Sequence, residues 1–87
     1  MIKEQTPITE LDIIRGWMSE NRITPPRIVD DIAAKGMKRY AIHSVYNIMA
    51  MRDQAHEPFL LRLYLTYPAL RERVEAAGFQ LPAELRA

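Results

Sequence analysis

The sequence predicts an all-α fold, and three observations point there. Proline or a capping residue followed by apolar residues at helical spacing recurs along the chain, as at Thr6-Pro7, Thr24-Pro25-Pro26, Pro58 and Pro68. Glycines stand where such stretches stop, at Gly36 and Gly78. No segment alternates polar and apolar residues as a half-buried strand does. The expectation is a compact bundle of about five short helices, with residues 1–87 forming a single domain. A content of 48% hydrophobic and 26% charged residues suits a packed chain rather than a disordered one.

The first helix is expected to begin at Thr6-Pro7 and to end near Asn21. Leu11, Ile14, Trp17 and Met18 form its apolar face. The second follows Thr24-Pro25-Pro26, buries Ile28, Val29, Ile32 and Ala33, carries Asp30 and Asp31 near its positive end, and closes at Gly36 in a left-handed conformation. A third runs from about Lys38 to Arg52, with Ile42, Val45, Ile48 or Met49, and Arg52 as its inner stripe. Pro58 starts a fourth helix, to about Thr66, that is apolar almost all round. The last spans roughly Pro68 to Ala77 and stops at Gly78, with Phe79 placed for the contact that follows a glycine cap. The tail from Gln80 packs through Leu81 and Leu85 or frays. The expected core is drawn from Leu11, Ile14, Trp17, Ile28 and Ile32, with Ile42, Val45, Leu60, Leu63 and Val74.

The chain has no cysteine, which excludes disulfides, thiolate metal sites and a Cys nucleophile. Nothing approaches 18 consecutive apolar residues, and MIKEQTPITE lacks the apolar run of a signal peptide. The expectation is a cytoplasmic protein with no membrane partner. Net charge is only +1, but its distribution is uneven. Residues 22–52 set Arg22, Arg27, Lys35, Lys38, Arg39 and Arg52 against Asp30 and Asp31, which is +4. Residues 1–21 sum to −2 and residues 53–87 to −1.

That positive segment is also where two short helices are expected to meet at a tight turn, a candidate helix-turn-helix over residues 26–52. In such a pair the second helix enters the major groove and must offer donors and acceptors to base edges. The outward side of the expected third helix carries Arg39, Tyr40, His43, Ser44, Tyr46, Asn47 and Ala50. It has no carboxylate between Lys38 and Arg52. Arginine can grip guanine in two places, asparagine adenine, and serine either a base or a phosphate. Phosphate contacts are expected from Arg27, Lys38 and Arg39, with His43, Ser44 and Asn47 discriminating bases. The alternative for the same face is a solvated or protein-contacting helix surface.

The run Ile32-Ala33-Ala34-Lys35-Gly36-Met37 followed by Ile42-His43-Ser44-Val45-Tyr46-Asn47-Ile48 resembles small phage and plasmid helix-turn-helix regulators of the lambda-repressor-like kind. The resemblance covers about a quarter of the chain. It implies a turn glycine at Gly36, readers at Arg39, Tyr40, His43, Ser44 and Asn47, and a dimer on palindromic double-stranded DNA. The chain departs from the pattern at Asp31 and Lys35, where apolar residues are usual, and at Ile32, where a small one is.

Phe59, Leu60, Leu63, Tyr64 and Tyr67 supply either a homodimer interface or a central core helix. His43 and His56 lie thirteen residues apart with no carboxylate at ligand spacing, so no metal site is expected. Asp30 and Asp31 point about 100° apart on a helix and cannot share a site. No catalytic motif and no cofactor-binding loop is present, and an enzyme is not expected. Met37, Met49 and Met51 read as core filling, with part of a protein-binding patch as the alternative for Met51. The functional expectation is a small DNA-binding transcriptional regulator acting as a dimer. The alternative is an adaptor or inhibitor docking another protein through the third and fourth helices.

Overall fold

A computed structural model describes residues 8–50 and 55–85. The described residues are helical, with five α-helices, one 3₁₀ turn and no strand: α1 Glu10–Glu20, α2 Pro25–Ala34, α3 Ile42–Met49, α4 Glu57–Thr66, α5 Pro68–Ala76 and the turn Ala83–Leu85. The all-α class is therefore observed. α2 packs on α3 and α4, and α5 on α4 and α1.

α1 starts three residues later than Thr6-Pro7 would place it, and those two residues lie outside the described ones. Thr9 is the cap. Its hydroxyl accepts the Asp12 amide at 3.2 Å while the Asp12 carboxylate accepts the Thr9 amide at 2.9 Å. That reciprocal pair, with nearby Arg15, holds Asp12 below its ordinary carboxylate pKa.

Three helices end the same way. α2 and α5 are closed by Gly36 at φ 81° and Gly78 at φ 90°, and α1 by Arg22 at φ 56°. In each, two amides fold back onto the last turn: Arg22 N–H to Ser19 and Ile23 N–H to Met18, Gly36 to Ala33 and Met37 to Ile32, Gly78 to Glu75 and Phe79 to Val74. The apolar residue after each left-handed position then packs against the core.

The core comprises Ile14 and Met18 of α1, Ile28, Val29 and Ile32 of α2, Val45 and Ile48 of α3, Phe59, Leu63 and Tyr64 of α4, and Leu70 and Val74 of α5. Tyr67, between α4 and α5, and Leu81 complete it. Of the residues expected in the core, Leu11, Trp17 and Leu60 are half-buried at its margin, and Ile42 is 42% exposed.

α4 resolves its two readings in favour of a core helix. Phe59, Leu63, Tyr64 and Tyr67 are buried inside this one chain and Leu60 is half-buried, so the expected dimer surface is already occupied by α2 and α5. The physical reason is the pair of polar tips: the tyrosine rings bury while their hydroxyls find carboxylates. Tyr64 donates to Glu10 of α1, and Tyr67 donates to Asp31 of α2 at 2.6 Å. Among the described residues no helix is long and apolar enough to cross a membrane.

Candidate functional site

The segment preceding α3 decides what α3 can present. Gly36 ends α2 as expected, but α3 does not start at Lys38. Residues 35–41 form the connection, with Lys38 to Ala41 non-helical, so the tight helix-turn-helix turn is replaced by seven residues. The third helix is eight residues, Ile42–Met49, capped by Ala50; Met51 and Arg52 lie outside the described residues.

Tertiary contacts outweigh helix propensity at 38–41. The Tyr40 ring meets Phe59 edge-on, centroids 5.1 Å apart at 87°, and the Arg62 guanidinium lies 4.9 Å from the Tyr40 centroid. Arg39 Nη2 lies 2.9 Å from Asp30 Oδ1 of α2. Tyr40 is therefore a packing residue and not a base reader, because its ring is sandwiched against α4. Arg39 is a connecting-segment cation paired to α2 and not a helical reader. Arg27 is likewise engaged, 3.4 Å from Asp31.

The late start also turns the helix face. At about 100° per residue, Ile42, His43, Tyr46 and Ala50 share one side, with Asn47 at its edge. All four of the first set are exposed and Asn47 is half-buried. Ser44 falls on the opposite flank, next to buried Ile48, and is half-buried. Of the seven expected contact residues, His43 and Asn47 lie on this side of α3, and Lys38 is exposed in the connection that precedes it. Ile42 and Tyr46, 42% and 51% exposed, join them, and Ile42 leaves its expected inner place.

The electrostatics are simple. Residues 32–52 carry four Lys or Arg and no Asp or Glu. α3 itself has no charged residue. Ala41 caps it without a side-chain hydrogen bond, so no side-chain oxygen meets its first amides. α2, α4 and α5 likewise have no side-chain cap, but carry proline in their first turn, where a missing N–H costs nothing.

Asp30 and Asp31 are the residues whose role the sequence reading missed. They are not first-turn charges: α2 starts at Pro25, and its first turn is free of acidic residues. Pointing apart as helical neighbours must, they hold different partners, Arg39 for the first and Tyr67 with Arg27 for the second. His43 lies on α3 while His56 precedes α4 as its cap. A shallow apolar hollow of about 270 Å³ opens beside Met18, Ile23, Pro25, Ile28 and Met49, with Arg15 at its rim. Comparison with known protein families, with characterised proteins and with solved structures finds no match to this chain.

Proposed function

We propose that this protein binds duplex DNA by laying the exposed side of α3 in the major groove, as a small transcriptional regulator working by occupancy in the cytoplasm. The observation that carries the reading is a carboxylate-free helix face, preceded in the chain by exposed Lys35 and Lys38, whose N-terminus lacks a side-chain cap. Phosphates favour such a terminus, and lysines beside it add sequence-independent affinity. His43 and Asn47 supply base-edge hydrogen bonding, while Ile42 and Ala50 offer apolar contacts of the kind thymine methyls accept.

The test is a titration of labelled duplex at about 50 and 200 mM salt, using both random DNA and a duplex selected from a randomised pool. Binding should weaken steeply with salt. His43→Ala and Asn47→Ala should each cost roughly 1–3 kcal/mol on the selected duplex and little on random DNA. Lys38→Gln should weaken both and lower the salt slope by about 0.9. Equal losses from Asn47→Ala on both duplexes would remove Asn47 from base reading.

A second reading rests on Ile42 and Tyr46, large apolar side chains one helical turn apart on an exposed surface. They suit an apolar protein partner, whose binding would barely respond to the same change in salt.

A further inference from the structure

We infer that Asp30 is a specificity-determining residue: by holding Arg39, it keeps one cation off the phosphates of arbitrary DNA. This inference rests on the duplex-binding reading of α3. Arg39 sits in the connecting segment, three residues before α3, where a guanidinium could reach a phosphate beside a helix lying in the groove. Its Nη2 is instead 2.9 Å from Asp30 Oδ1. The two side chains are 57% and 64% exposed, so the pair is in water and its attraction is weak enough for a phosphate to displace the carboxylate.

Asp30 is exposed on α2 and lies beyond the first turn, so it does not complement the helix dipole, and its ion pair is with Arg39. Its neighbour Asp31 is different, because it accepts the Tyr67 hydroxyl and joins the packing of α2 on α4. Among the described residues, Lys35 and Lys38 have no ion-pair partner, so Arg39 is singled out on this surface by Asp30. A chain that carries only +1 overall but +4 over residues 22–52 needs a restraint on indiscriminate phosphate binding. A carboxylate beside one arginine supplies it. DNA that seats α3 fully can draw Arg39 away, and DNA that does not leaves the pair intact.

The experiment is a double-substitution cycle of Asp30→Asn and Arg39→Gln, measured on random duplex by anisotropy over a series of salt concentrations. Asp30→Asn should tighten binding at about 50 mM salt roughly three- to tenfold and steepen the salt slope by about 0.9, the increment for one more phosphate neutralised. Both changes should vanish when Arg39→Gln is also present. Circular dichroism should show all variants equally helical, since both side chains lie outside the core. Wild-type binding left unchanged by Asp30→Asn overturns the inference while sparing the duplex-binding reading. A tightening that persists undiminished in the Arg39→Gln background also overturns it, because the effect would then be one of overall charge. Failure of every variant to bind at any salt overturns both.

Discussion

Arg22 takes up the left-handed conformation that glycine occupies at the ends of α2 and α5. A β-carbon there crowds the following carbonyl, so Arg22→Gly should raise stability by about 0.5–1 kcal/mol in urea unfolding. The converse change, Gly36→Ala, should lower it by about 1 kcal/mol. No atom lies within 4 Å of the added carbon, so the cost would be conformational and not steric crowding by neighbours. Gly36 and Gly78 were legible as caps because glycine is the usual residue there. Arg22 was not, since nothing in an arginine announces a left-handed turn.

The buried tyrosines make a second prediction at this scale. Burial, first, and then the hydrogen bonds to Glu10 and Asp31 raise the pKa of Tyr64 and Tyr67 well above the ordinary tyrosine value. A folded-state pKa above the unfolded value of about 10 means their contribution is complete below that pH and is lost as pH rises through the folded values. Urea midpoints should therefore be level between about pH 8 and 9 and fall above about pH 10. Tyr64→Phe with Tyr67→Phe should remove most of that fall. An equally steep fall in the double variant would assign it to other groups. The pairing partners could not be foreseen, because Tyr64 and Glu10 are 54 residues apart in the chain.

Among the elements, α3 shows what local reading can and cannot reach. Its existence and its inner residues Val45 and Ile48 followed from spacing, whereas its start did not. Lys38, Arg39 and Tyr40 are acceptable helix residues, and only Phe59 and Arg62, about twenty residues downstream, draw Tyr40 out of line. That shift of four residues turned Ile42 outward and Ser44 aside, and removed Tyr40 and Arg39 from the expected readers. Tyr40→Ala should release the connection between α2 and α3. The expected cost is about 2–3 kcal/mol from lost aromatic packing, with amide exchange quickening across residues 37–42 before the rest. Uniform quickening along the chain would show that Tyr40 does not anchor this segment locally. At α1, Thr6 and Thr9 are both plausible caps, but only Thr9 has an acidic residue three positions on to complete the pair. Thr9→Ala should cost about 1 kcal/mol by thermal unfolding.

Across the whole molecule, the all-α class was legible because prolines and glycines punctuate α2, α4 and α5 and apolar residues recur at helical spacing in α1 and α3. The place of α4 was not, because an all-apolar helix suits a core and an interface equally until its neighbours are known. Here α2 and α5 cover it, and that leaves the α3 side, with residues 35–41, as a region that combines exposed Ile42 and Tyr46 with Lys35 and Lys38, which have no ion-pair partner among the described residues. The most direct test of that assignment is a nitrogen–proton NMR titration of the labelled protein with a selected duplex at about 50 mM salt. Amide shifts should concentrate at Lys35, Lys38 and residues 42–47, while α5 and the turn at Ala83–Leu85 stay still. Shifts centred on α5, or none at all with excess duplex, would contradict it.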